Sequence, residues 1–277
     1  MDRSRLRNFV LTSRWLPLLV LPIRVAAASK TLTRNFAVSV RWLLSSREFT
    51  NYTYELTPRN RKHLAWTVSL VTGAPVDEVE GHFAEIEGDV ELQERLTEAI
   101  RNGDRRREYS RADIDLVTAH LSRRLGWYAL VRALKPQLVV ETGTDKGLGS
   151  VVLAEALVRN GTGRLITIDI EPASGMLLGS AYPDNVVKLT GDSLTLLQGL
   201  SEIDLFVHDS DHSAEHEEAE FRMVMKRLAQ GAVLLSDNSH ATDVLEQLSR
   251  EWSRRFVFFK ESPERHWYPG GGIGISW

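Results

Sequence analysis

Apolar and polar positions change rhythm along this chain, and the change falls at Pro136. From about 57 to 134 apolar residues recur at helical spacing between clear stops. Thr57 with Pro58 predicts an N-cap and first helical position, Gly73 a helix end, and Pro75 the next start. Leu92, Leu96 and Ile100 then share a helix face before Gly103. Ser110 with Asp113 has the form of a capping box, and Ile114, Val117, Leu121, Leu125 and Tyr128 predict one further helix with a single apolar face.

Beyond Pro136, short apolar runs alternate with helical segments: LVV (138–140), LITI (165–168), VVKL (186–189), IDLFV (203–207) and AVLLS (232–236). Strands alternating with helices predict a parallel sheet covered on both faces, with right-handed crossovers. RFVFFK (255–260) and GIGIS (272–276) are close enough to pair as a final antiparallel hairpin. The expected class is α/β: a doubly wound, mostly parallel seven-stranded sheet with a helical N-terminal region. The expected division is a basic arm and helical accessory region over 1–107, and the sheet domain over 108–277.

Composition changes this picture only at the N-terminus. With 43% hydrophobic residues, 26% charged and a net charge of −3 over 277 residues, the chain is an ordinary globular protein, and no nucleic-acid partner is expected. Residues 1–47 hold nine Lys/Arg against Asp2 alone, a charge of +8 that leaves −11 for the remainder. WLPLLVLPI (15–23) carries two prolines and is shorter than the roughly 20 apolar residues of a spanning helix. Its resemblance to a signal peptide is faint. The segment is expected to dock peripherally on an anionic membrane, to pack against another subunit of a homo-oligomer, or to be a basic tail. The expected location is cytoplasmic, with membrane association through this arm. Cysteine is absent, so thiolate metal sites and cysteine nucleophiles are excluded, and any metal ligands are oxygen or nitrogen.

In an open α/β sheet, ligands bind beyond the carboxyl ends of the strands. The first strand runs into Glu141-Thr-Gly143-Thr-Asp-Lys-Gly147-Leu-Gly149-Ser150, where glycines allow a tight turn and close approach to a ligand. The spacing is GxxxGxG rather than the dinucleotide GxGxxG, which argues against a nicotinamide cofactor. Asp169, closing the second strand, is placed to accept hydrogen bonds from ribose hydroxyls. A plain strand-to-helix turn is the structural alternative for the glycines.

On VVETGTDKGLGS, LITIDIEP and GDS (191–193), the chain resembles the class I S-adenosylmethionine-dependent methyltransferases, over roughly residues 108–277. The resemblance implies a Rossmann-like methyltransferase fold. It also implies that Glu141 and Gly143 lie near the methionine portion of S-adenosylmethionine, that Asp169 binds ribose, and that Asp192 and Ser193 flank adenine. Gly147 and Gly149 complete the expected cofactor set.

The stretch HDSDHSAEHEEAE (208–220) follows the fourth strand, and Asp237 with Asn238 follows the fifth. Asp209, Asp237 and Asn238 are therefore expected together at the end of the sheet that carries the glycine turn. Three oxygen ligands without sulfur suit Mg²⁺ or a similar hard cation. LLSDN and the Asp after the fourth strand are similar to the cation-dependent O-methyltransferases of catechol and caffeoyl type. In those enzymes the base is a lysine three residues after the first aspartate, whereas here the position is His212. A histidine there is similar to the macrolide-sugar O-methyltransferases, although they carry Glu-Asp where this chain has Asp237-Asn238.

The resulting expectation is a cation-assisted transfer to one of two adjacent hydroxyls of a sugar, glycan or glycosylated natural product. His212 takes the proton. Two rivals are a metal-independent methyltransferase and a noncatalytic, membrane-docked scaffold. Other roles are open for the neighbouring residues. His212 and His216 have the spacing of a zinc pair without an evident third ligand. Glu215, Glu217, Glu218 and Glu220 are expected to open a helix and favour its dipole, with Asp211 either its N-cap or a site residue. His208 and His240 are candidates for lining the pocket, with a structural role as the leading alternative. His266, Trp267 and Tyr268, with Tyr52 and Tyr54, are weaker candidates for covering the acceptor.

Overall fold

The computed structural model describes residues 21–45, 54–102, 120–237 and 239–277. They fall into two units, residues 1–46 with 265–267, and residues 47–264 with 268–277. In the first, helix α1 (Leu21–Ser45) exposes Leu32, Phe36 and Leu44, and the Trp42 ring lies 5.6 Å from that of His266 and 5.8 Å from that of Trp267. Among the described residues no helix is long and apolar enough to cross a membrane.

The second unit opens with α2 (Pro58–Thr72), α3 (Val76–Glu87) and α4 (Val90–Asn102). The punctuation is as expected: the Thr57 hydroxyl accepts from the Asn60 N–H at 3.3 Å, and Gly73, at φ +76°, closes α2. The long helix expected over 114–128 is not continuous. Ser122 sits at φ +42°, which a right-handed helix cannot contain, and α5 begins only at Arg124 and runs to Leu134. The Ser110–Asp113 capping box lies outside the described residues.

Seven strands follow, β1 (Leu138–Thr142), β2 (Arg164–Asp169), β3 (Val186–Thr190), β4 (Ile203–His208), β5 (Leu228–Ser236), β6 (Phe256–Lys260) and β7 (Gly272–Ser276). Between them lie α6 (Leu148–Asn160), α7 (Ser193–Leu197), α8 (Ala214–Met225) and α9 (Val244–Glu251). The sheet order is β3-β2-β1-β4-β5-β7-β6, with β1 to β5 parallel and β7 antiparallel to both β5 and β6. Period-two alternation splits the core between the faces. Val139, Leu205, Val207, Val233 and Leu235 pack with α5 and α6, while Val140, Phe206 and Leu234 meet Phe221 and Val224 of α8 and Leu248 of α9.

The first of these clusters also holds Val68, Phe83 and Leu96. A boundary at 107/108 therefore does not separate two cores, because α2 to α4 bury their apolar faces in the hydrophobic cluster that covers the sheet.

Candidate active site

The strand register places the site. Thr142 pairs with His208, and His208 with Ser236, so Gly143, Asp209 and Asp237 leave the sheet side by side. The ladder continues one step past the strands: Asp209 N–H donates to Thr142 O and Asp237 N–H to His208 O, both at 2.9 Å. The exits are tight enough to require glycine at 143. Its φ is +90°, and a Cβ there would stand 1.9 Å from the Asp209 carbonyl oxygen.

Above this edge lies a cavity of about 1020 Å³ whose wall runs from Asp169, Ile170, Asp192 and Ser193 past Gly143 and Gly149 to Asp209 and His212. Asp169, Ile170, Asp192 and Ser193 line one end of this cavity. Asp169 accepts from the Asp145 N–H and the Glu171 N–H, each at 2.8 Å, one per carboxylate oxygen. A lone pair on each oxygen remains for ribose hydroxyls. Ile170 is 79% exposed on the rim, an apolar plate at the place a base would lie. Asp192 borders the cavity while capping α7 through the Thr195 N–H at 2.8 Å, and these bonds hold its carboxyl below the usual range. These groups fit S-adenosylmethionine.

Two expected cofactor residues stand elsewhere. Glu141 does not line the cavity; it lies buried beneath the glycine turn, accepting from Thr167 Oγ1 at 2.7 Å and from Ser150 Oγ, and burial pushes its carboxyl up to about 7. Sheet alternation turns its side chain into the protein rather than toward the strand end. Gly147 also lies off the wall; at φ +95° it opens α6, and a Cβ there would meet Gly175 Cα at 3.1 Å.

The acceptor half departs further from expectation. Asp237 is fully buried and not part of the cavity wall, and it receives both Nε and a terminal nitrogen of Arg123 at 2.5 Å. Burial alone would raise its carboxyl, but the Arg123 guanidinium holds it at about 2. Asp209 retains 16% exposure of its side chain, 4.0 Å from Arg124 and 3.9 Å from His212 Nε2. Burial, and then the charge of Asp237, push Asp209 well above the ordinary carboxylate range. Asn238 lies outside the described residues. Among the described residues no His/Cys/Asp/Glu cluster is placed to hold a metal ion. The expected open set of three oxygen ligands is thus not what the described residues form, because a guanidinium consumes one carboxylate.

His212 borders the cavity with 37% of its side chain exposed, and burial lowers its pKa below the ordinary value. His216 is turned away from a zinc role, its Nε2 lying 2.9 Å from Glu220 Oε1. The N-cap of α8 is Ser213, whose hydroxyl accepts from the His216 N–H; Asp211 instead accepts from the Ser213 N–H at 2.9 Å. Tyr54, His240 and Tyr268 complete the acceptor wall, with Tyr54 donating to Glu261 at 2.6 Å. Tyr52 lies outside the described residues, and His266 and Trp267 belong to the other unit.

The acids do open α8, with Glu215 and Glu217 in its first turn, but Glu217 and Glu220 are also buried, and Glu220 gathers Thr142, Ser193, Ser210, His208 and His216 around one carboxylate. The signal was available, because Glu217 and Glu220 share one helix face with Phe221 and Val224. For Arg123 no local pattern served.

Residues 140–239 match a family described as a methyltransferase domain. No curated protein matches the chain. Among solved structures, the chain is similar to the O-methyltransferase TomG of Streptomyces achromogenes, involved in tomaymycin synthesis and solved with S-adenosylmethionine. The identity is 20%, the TM-score 0.51, and the match covers 66% of this chain and 88% of that one. The S-adenosylhomocysteine-bound methyltransferase PaMTH1 of Podospora anserina matches at 15% identity and a TM-score of 0.49, over 66% of this chain and 86% of that one. An O-methyltransferase from Bacillus cereus matches at 18% identity and a TM-score of 0.46, over 54% and 77%.

Proposed function

We propose that this chain, whose residues 140–239 match a methyltransferase domain, is an S-adenosylmethionine-dependent methyltransferase that methylates a hydroxyl oxygen, one of two adjacent hydroxyls on a sugar or glycosylated natural product. The observation that supports this is that the Asp169 carboxylate and the His212 imidazole line one cavity. When bound, S-adenosylmethionine supplies an electrophilic methyl on a sulfonium. Asp169 would hold its ribose, and Ile170 and Asp192 its base.

On the acceptor side, the His212 imidazole would take the hydroxyl proton, while S-adenosylmethionine, when bound, would give up its methyl to the oxygen and leave as S-adenosylhomocysteine. Asp209, 3.9 Å from His212 Nε2, is placed to bond the neighbouring hydroxyl. Tyr54, Tyr268 and His240 give that half of the cavity aromatic faces and polar tips, the surface a polyol takes. The Mg²⁺ expected alongside this chemistry does not fit the described residues, since Asp237 is spent on Arg123, and no step is assigned to it.

The test is transfer of a labelled methyl from S-adenosylmethionine to a set of glycosides, with the parent and His212→Asn. A fall of about 10²–10⁴ in turnover is expected, with affinity for S-adenosylhomocysteine unchanged. Full turnover in His212→Asn would reject the base, and equal labelling of isolated and vicinal hydroxyls would reject the two-hydroxyl acceptor.

A further inference from the structure

Asp237 is one of three carboxylates gathered about Arg123. Its two oxygens receive Nε and a terminal nitrogen of the guanidinium, and the remaining terminal nitrogen lies 3.5 Å from Glu261 Oε1. Glu261 is fully buried, its other oxygen taken by Tyr54. Asp209 is the third, within 4.0 Å of Arg124 and in the field of Arg123. Arg123 borders the cavity, whereas Asp237, behind it, does not. A cation arriving from the cavity therefore meets a guanidinium before it meets Asp237.

We infer that the Arg123 guanidinium stands in place of a divalent cation, and that this chain transfers methyl groups without a divalent metal. The inference rests on the function proposed above. Its physical basis is occupancy and charge. Mg²⁺ binds carboxylate oxygens at about 2.0–2.1 Å with near-octahedral demands on the remaining ligands, while a planar guanidinium takes both oxygens of one carboxylate at once. Binding a metal at Asp237 would require breaking that buried bidentate pair and stranding a positive charge beside the incoming ion. Removing one partner of such a pair is strongly unfavourable. Arg123 supplies one permanent positive charge at the acceptor end of the cavity. It acts by holding Asp237 ionised and in place beside Asp209, which makes it a positioning residue.

The test uses the full chain saturated with S-adenosylhomocysteine, saturation being checked by calorimetry, and Mn²⁺ followed by electron paramagnetic resonance. In the parent, Mn²⁺ is expected to stay free at millimolar concentration. In Arg123→Ala, which exposes Asp209, Asp237 and Glu261 to the cavity without their guanidinium, one Mn²⁺ per chain is expected to bind, and adding Asp237→Asn should abolish it. One Mn²⁺ bound to the parent and lost in Asp237→Asn would overturn the inference. So would a folded Arg123→Ala that binds none, because the guanidinium would then not be what fills the place. Should Arg123→Ala fail to fold, the melting temperature of the loaded parent decides: it is expected to be the same in Mg²⁺ and in EDTA, and a rise with Mg²⁺ that Asp237→Asn removes overturns the inference. A parent that binds no S-adenosylhomocysteine removes the proposed function and this inference with it, whereas one that binds both S-adenosylhomocysteine and Mn²⁺ removes this inference alone.

Discussion

Replacing Gly143 by alanine should be far more damaging than its one added methyl suggests. Two effects combine at this position. The backbone has φ +90°, where a side chain costs about 1–2 kcal/mol through contact with the carbonyl that follows. The new Cβ would also lie 1.9 Å from Asp209 O, 2.4 Å from Asp209 C and 2.7 Å from Ser210 N, all backbone atoms that no side-chain rotation can move. Forcing a methylene into packed surroundings costs about 1–3 kcal/mol, so the total is about 2–5 kcal/mol. Gly73 provides the control. At φ +76° it has the same conformational demand, but nothing lies within 4 Å of its Cβ position, so Gly73→Ala should lose only the first contribution. With a shift of about 2–4 °C per kcal/mol for chains near this size, Gly143→Ala should melt about 10 °C lower and Gly73→Ala about 4 °C lower. Calorimetry of the two variants, free of ligand, measures the difference. Equal losses would refute the close approach of the β1 and β4 exits on which the placement of Asp209 rests.

Glu220 predicts a pH dependence. Burial would raise its carboxyl, but hydrogen bonds from His208, Ser193 and Thr142 draw it down to about 2. Because that lies below the unfolded value, the stabilisation is full above about pH 4.5 and drains away as pH falls toward 2, amounting to about 3 kcal/mol. Glu220→Gln should flatten the fall in stability over that window in acid-unfolding curves; a slope equal to the parent's would contradict the assignment. Ile170, exposed on the cavity rim, should matter only to the ligand. Ile170→Ser is expected to weaken S-adenosylhomocysteine binding about fivefold, near 1 kcal/mol, and to leave the unliganded melting temperature unchanged. Unchanged affinity would remove Ile170 from the nucleotide site.

Much of this architecture was legible in sequence because each strand is a short apolar run and each early helix carries its own punctuation. The β1 run LVV and the β4 run IDLFV had only to be placed in a parallel sheet for Gly143 and Asp209 to fall at one edge. The same rule puts Asp169 and Asp192 at that edge, where both border the cavity. Glu141 was misplaced because strand alternation, which buries it, was outweighed by its position in a glycine-rich motif. Arg123 was invisible for a different reason. Its partners Asp237 and Glu261 lie more than a hundred residues away, and the spacing of Leu121 and Leu125 around it reads as continuous helix until the reversal at Ser122 is seen. Local periodicity reports which face is buried; it does not report which buried charge meets which.

On the proposed reading, Asp169 and the glycine turn hold S-adenosylmethionine at this edge of the sheet. Isothermal titration of S-adenosylhomocysteine into the parent and into Asp169→Ala tests it most directly. One molecule per chain is predicted for the parent, with affinity about 10–100-fold weaker in Asp169→Ala, the value of a hydrogen-bonded pair to a charged group. Absence of binding to the parent, or equal affinity in the two, would contradict the account.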